Sequence, residues 1–191
     1  MKCGKHIEDN KTEYCYDCRT NIHQYTWGFG AFEYSDMLKE AIYDFKYNGV
    51  KNLGVLFARE IVKEYYHEIK AWNADCIIPV PLHPTKIKKR GFNQAEIIGT
   101  GIGKSMGIPV LDNYLIRTKN TVPQKELHMT QRKKNLENAF IISDNVVKLK
   151  KVILVDDIYT TGATFDACAA VLKRAGVCEV YGISLCVGDG F

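Results

Sequence analysis

An α/β fold, a mainly parallel sheet flanked by helices, is what this sequence predicts, on three observations. From residue 75 onward, short apolar runs alternate with helical stretches. One run, KVILVDD (151–157), is continuously apolar until its closing acids, as in a strand covered on both faces. The chain has 191 residues, 46% of them hydrophobic and 25% charged, which is ordinary globular composition and enough chain for its own core.

The elements follow in order. Residues 1–24 are polar and cysteine-bearing, with too few apolar side chains for a core; if this segment is ordered, a metal orders it. TWGFGAFEY (26–34) alternates apolar with small or polar residues and suits a strand or hairpin. Ser35 and Asp36 are N-caps for a helix over about 36–47, with Gly49 as its stop. A second helix spans about 53–70, where Leu53, Leu56, Ile61, Tyr65 and Ile69 fall near helical spacing. CIIPVP (76–81) reads as a buried strand ending at prolines, and residues 92–107 as a helix stopped by Gly107. YLIR (114–117) is a short strand, and the polar, basic stretch 118–138 a long loop. After the strand at 151–157 comes a helix at 163–175, closed by Gly176, and a last strand, VYGISLCV (180–187).

Composition also excludes some classes. With 11% aromatic residues the chain is not disordered. No apolar run approaches a membrane span, so no membrane insertion is expected, and the polar start MKCGKHIEDNK carries no hydrophobic signal region. A cytoplasmic protein is the expectation. The formal net charge of +4 fits a phosphate-rich ligand or an anionic polymer without choosing between them.

Seven cysteines in a cytoplasmic protein do not suggest disulfides. Cys76, Cys168, Cys178 and Cys186 lie in apolar segments and read as small buried hydrophobes. Cys15-Tyr-Asp-Cys18 is a C-x2-C knuckle, and Cys3 lies upstream of it. Structural zinc takes four ligands; Cys3, Cys15 and Cys18 supply three, and His6 is the nearest fourth. The alternative is a tail carrying free thiols. His23, His67 and His128 read as surface or core residues.

The strongest signal is VILVDDIYTTGATF (152–165). Asp156 and Asp157 stand at a strand's carboxyl end, where parallel sheets place their ligands. Neighbouring carboxylates there can accept hydrogen bonds from a vicinal diol such as ribose. Thr160, Thr161, Gly162, Ala163 and Thr164 form a small-residue turn opening into a helix, whose N–H groups and helix terminus make an anion cradle. Together the parts match one sugar phosphate. The plainer alternative is a strand–turn–helix with a threonine cap and two solvated acids. It accounts for a bare DD pair better than for a string in which every position serves one ligand.

This stretch resembles the phosphoribosyl pyrophosphate (PRPP) motif of type I phosphoribosyltransferases. FKYNG (45–49), PVPLHPTKIKKRGFNQA (79–95), the spaced set Arg117, Thr121, Gln124, Arg132 and Asn135, the run Asn138-Ala139-Phe140 and the N-terminal cysteines narrow the resemblance to the ComF family of competence proteins. It covers nearly the whole chain.

The resemblance implies a type I phosphoribosyltransferase-like parallel sheet flanked by helices, with a small zinc-knuckle segment at 1–24. The remaining 25–191 would divide into a hood or helical part (25–72) and a PRPP-binding core (73–191). Asp156 and Asp157 would hold the ribose hydroxyls as the catalytic pair, and Thr160 to Thr164 the 5′-phosphate. The loop Leu82 to Lys86 would face the pyrophosphate, with Leu82, His83, Lys86 and Arg90 on that side. A lid at about 118–134 would bring Arg117, Gln124 and Arg132. Mg²⁺ would accompany PRPP. In the family's usual pair of C-x2-C motifs, Cys3 matches the second cysteine of the first pair. Either the leading cysteine would stand before Met1, or His6 would take its place, which would make the Zn²⁺ set Cys3, His6, Cys15 and Cys18.

Chemistry agrees with this placing. Pyrophosphate calls for cations, and Lys86, Lys88, Lys89, Arg90, Arg117, Arg132 and Lys133 flank the two candidate loops. A solvated basic face is the alternative for the lysines, and Arg90 could equally cap the sheet.

Three functions follow. The first is Mg²⁺-dependent transfer of phosphoribose from PRPP to an unidentified acceptor. The second, implied by the resemblance, is a DNA-uptake accessory in natural transformation, acting on single-stranded DNA with a competence helicase. Its candidate contacts are the basic clusters and Tyr14, Tyr16, Tyr25 and Trp27, whose alternative is internal packing. The third is a sensor that binds PRPP or a nucleotide without turnover.

Overall fold

The computed structural model describes residues 3–4, 14–33, 35–120, 136, 138–143 and 148–188. The expectations placed on His6, Thr121, Gln124, His128, Arg132, Lys133 and Asn135 lie outside the described residues, as does residues 121–134 of the expected lid.

The elements in chain order are α1 (Tyr16–Thr20), β1 (Trp27–Glu33), α2 (Asp36–Tyr47), α3 (Asn52–Ala71), β2 (Cys76–Pro79), α4 (Pro84–Arg90) and α5 (Gln94–Met106). They continue with β3 (Leu115–Arg117), β4 (Phe140–Ile142), β5 (Lys151–Tyr159), α6 (Ala163–Arg174) and β6 (Glu179–Val187). Four strands form one sheet in the order β1-β6-β5-β2, every pair parallel. The segment 25–72 thus contributes a strand to this sheet as well as two helices. β3 and β4 pair antiparallel as a separate two-stranded sheet.

Both faces of the four-stranded sheet are covered, which is why its strands read as apolar runs. Val152, Leu154 and Val180 pack with Phe165, Cys168, Ala169 and Leu172 of α6 and with Leu115 and Phe140 of the small sheet. Ile153, Val155 and Ile183 face the other way, toward Ile42 and Phe45 of α2, Ile61 of α3, and Ile98 and Ile102 of α5. Alternation along β5 therefore assigns successive residues to opposite layers.

Local chemistry sets the boundaries. Ser35 Oγ accepts from the Leu38 N–H at 3.3 Å and starts α2. Asn93 starts α5 by accepting from the Ala95 N–H, while its own amide donates to the Val80 carbonyl at 3.0 Å, fixing α5 against the end of β2.

Three short elements, α1, α4 and β4, escape the periodicity reading. α4 corrects one expectation: only 80–83 remain loop after β2, because His83 caps and Pro84 opens a helix over the basic run. A seven-residue helix without a buried residue leaves no apolar stripe to read. A second correction concerns Cys178, which is exposed, whereas Cys76, Cys168 and Cys186 are buried as expected. Among the described residues no helix is long and apolar enough to cross a membrane.

Candidate functional site

The pleat of β5 determines where its terminal acids point. Asp156 follows Leu154 toward the layer beneath α6, and Asp157 follows Val155 toward the layer of α2. Asp157 meets Lys46 of α2, with Nζ to Oδ2 at 2.5 Å and the two side chains only 13% and 19% exposed. Burial alone would raise the Asp157 carboxyl, but Lys46 outweighs it and holds the carboxyl below its usual range. Burial alone would likewise lower Lys46, and the pair keeps its ammonium above its ordinary value. Asp156 accepts from the Asp157 N–H at 2.8 Å. Its carboxyl is pushed up to about 7, first by burial and next by the neighbouring charge of Asp157.

Four cations converge on the two acids from three elements, α2, α4 and β3. Lys86 on α4 is held below its ordinary range, first by burial and then by Arg117 and Arg90, and it also feels Lys46 and Asp157. Arg117, at the end of β3, is buried, lies 5.4 Å over the Phe140 ring and is within the field of Asp156. Arg90 closes α4, donating to Gln94 Oε1 at 3.1 Å with its guanidinium 5.2 Å over the Tyr47 ring. Lys46, Lys86, Arg90 and Arg117 thus surround Asp156 and Asp157, and positive charge is in excess.

Beyond Asp157 the chain leaves the sheet through a bend. Gly162 caps α6 in the left-handed region (φ 78°), a conformation glycine adopts at no steric cost. Among the described residues, the backbone N–H groups of Thr160, Thr161 and Gly162 donate to no protein acceptor. The first turn of a 12-residue helix stands behind them. A pocket at this point is lined by Asp156 and residues 158–165, so the bend and one of the acids share a single opening.

The structure therefore gathers Asp156, Asp157, Lys86, Arg90 and Arg117 and opens the bend 160–164 beside them. His83 has a local partner, its Nδ1 lying 2.8 Å from Thr85 Oγ1 as it caps α4. Lys46 had no role assigned from sequence. Its one signal was its place in FKYNG, because nothing in helical periodicity says which lysine of α2 turns inward.

Cys3, Cys15 and Cys18 come together with every pair of sulfurs within 4.8 Å, and Cys3 and Cys15 are 3.3 Å apart. Tetrahedral zinc with Zn–S bonds of about 2.3 Å spaces its sulfurs by about 3.8 Å, so these three thiols fit three corners of such a site. The cluster packs on Tyr25, Tyr159 and Phe165. Tyr25 is buried, and Trp27 lies 5.6 Å from Trp72 and 5.9 Å from Phe29, so these two aromatics pack internally, while Tyr14 and Tyr16 are exposed.

No family model matches the chain. Among curated proteins it is 37% identical over 116 residues to Competence protein F of Haemophilus influenzae, a match covering 60% of this chain and 50% of that protein. It is 28% identical over 188 residues to Competence protein ComFC of Streptococcus pneumoniae, covering 96% and 79% of the two chains. DNA utilization protein YhgH of Escherichia coli is 28% identical over 157 residues, covering 81% and 69%. Among solved structures, an allosteric regulatory enzyme of purine biosynthesis superposes with a TM-score of 0.42 at 24% identity, over 71% of this chain and 25% of that one.

Proposed function

We propose that the chain is a ComF-family protein, as its likeness to Competence protein F and Competence protein ComFC supports, and that it binds PRPP and transfers phosphoribose to an acceptor, in the service of DNA uptake. The observation that carries this reading is the open bend 160–162, whose N–H groups, unengaged among the described residues, lie at a pocket shared with Asp156.

In this reading the 5′-phosphate is held by the amides of Thr160, Thr161 and Gly162, the threonine hydroxyls and the helix terminus. Asp156 and Asp157 accept hydrogen bonds from the ribose 2′- and 3′-hydroxyls, with Lys46 fixing the rotamer of Asp157. Lys86, Arg90 and Arg117 face the pyrophosphate. Bound Mg²⁺ would supply further charge neutralisation on the phosphate oxygens. In the transfer the bond from C1 to the pyrophosphate oxygen breaks and a bond from C1 to the acceptor forms. The pyrophosphate leaves with its electron pair, and the acceptor gives up a proton. The side chains act by positioning and charge, and no protein nucleophile is required.

Titration calorimetry with PRPP and Mg²⁺, followed by pyrophosphate release across a panel of nucleobases, tests the reading. Saturable PRPP binding that Asp156→Asn weakens is expected. No PRPP binding would sink it.

A second reading, a non-catalytic accessory on single-stranded DNA or a nucleotide sensor, is favoured by one feature. Tyr43 and Tyr47 are exposed on α2 with ring centroids 5.0 Å apart, and Arg90 lies over Tyr47. Stacking aromatics beside cations are what single strands use. PRPP binding without turnover, together with a salt-dependent gel shift on single-stranded DNA, would favour it.

A further inference from the structure

Residues 21–26 run from the cysteine segment into β1, and His23, Gln24 and Tyr25 among them meet the two ends of the bend. Two ties hold them there. Both oxygens of Asp166, in the first turn of α6, are engaged by this strap: Oδ2 lies 2.9 Å from His23 Nδ1, and Oδ1 accepts from the Gln24 N–H at 2.6 Å. A carboxylate only accepts, so His23 carries a proton on Nδ1. At the bend's other end Tyr25 Oη and Tyr159 Oη are 2.8 Å apart and buried. Asp166 also begins the helical ladder, donating its N–H to the Gly162 carbonyl at 2.8 Å.

Gly162 sits between the two ties. A Cβ built there would lie 2.6 Å from Tyr159 Oη and 3.0 Å from His23 Cε1, so the bend rests on these side chains without slack. The ties also answer an electrostatic difficulty. A carboxylate in the first turn of α6 shares the helix terminus with any incoming phosphate and repels it. Turning both oxygens of Asp166 back onto N–H donors of the strap offsets that repulsion.

We propose that the strap is a built support of the phosphate seat, and that His23 and Asp166 are positioning residues which set the bend's affinity for the 5′-phosphate. The inference rests on reading bend 160–164 as that seat. It assigns a role to His23, 143 residues away from Asp166 in sequence.

The test uses the full chain with ribose 5-phosphate and magnesium pyrophosphate as separate probes in calorimetry. Asp166→Ala should weaken ribose 5-phosphate by about tenfold, the worth of a lost charge-assisted hydrogen bond, and leave pyrophosphate binding unchanged. Asp166→Asn, which keeps an acceptor for the Gln24 N–H, should restore most of the affinity. His23→Phe, which keeps a ring against Gly162, carries the same comparison should Asp166→Ala fold poorly. Hydrogen exchange gives a readout without ligand: the amides of 160–162 should exchange faster in Asp166→Ala. A folded Asp166→Ala that binds ribose 5-phosphate like the parent overturns the inference, and so does equal weakening for both probes. A parent that binds pyrophosphate but no ribose 5-phosphate overturns the phosphate-seat reading itself, and the strap's role with it.

Discussion

Lys46 and Asp157 form an ion pair of 2.5 Å between a helix and the end of a central strand, with neither side chain more than a fifth exposed. Removing one member of such a pair leaves the other buried without its contact partner, and for Asp157 only the weaker influence of Arg90 and a backbone N–H remains. Lys46→Met should therefore cost about 3–5 kcal/mol in urea unfolding, while adding Asp157→Asn to that variant should recover much of the loss. A loss under about 1 kcal/mol for Lys46→Met would place the pair in effective contact with solvent.

The two acids should act on stability in opposite pH windows. Asp156 titrates at about 7 in the folded chain, and a carboxyl in the unfolded chain titrates near 4. Between those values the folded state holds a proton that the unfolded state lacks. Its contribution is therefore complete below the unfolded pKa and declines as pH rises toward 7, by up to about 1.4 kcal/mol per pH unit. Asp157 is shifted down, so its contribution is present above the unfolded pKa and lost as pH falls through its folded value. Asp156→Asn should be more stable than the parent at pH 8, with the difference shrinking toward pH 5 as urea midpoints are compared. A difference that does not vary with pH contradicts this assignment.

Legibility from sequence followed the physics of each feature. β5 and α6 were readable because burial on both faces makes a continuous apolar run and a turn of small residues makes a distinct stop. α4 was not, since a basic run with a proline at its first position carries no periodic signal. The neighbours Asp156 and Asp157 were legible as a pair, but their opposite directions follow from the pleat, and their partners Arg117 and Lys46 come from distant elements. The tie between His23 and Asp166 has no local signature at all, because only the docking of the strap on α6 brings them together.

The thiols of Cys3, Cys15 and Cys18 pack against Tyr25 and Tyr159, so metal there should support the strap as well as the segment around it. We expect the purified chain to hold one Zn²⁺ and chelation to lower its melting temperature by several degrees, recovered on adding Zn²⁺ back. Cys18→Ser should abolish the recovery. A protein whose melting curve ignores both chelator and Zn²⁺ would show that the three thiols do not bind structural metal.

Gly162→Ala should injure the bend in two separable ways. Its φ of 78° costs a side chain about 1 kcal/mol or more, wherever the neighbours stand. The added methyl would in addition stand 2.6 Å from Tyr159 Oη. Tyr159→Phe deletes that oxygen, so Gly162→Ala should cost less in the Tyr159→Phe background than in the parent, leaving the backbone share and the milder contact at 3.0 Å with His23 Cε1. A double-mutant cycle in urea, run beside ribose 5-phosphate titrations, reads both. Strict additivity of the two substitutions would mean that the bend moves clear of Tyr159, and the tight seating of Gly162 on the strap side would then be lost as an argument.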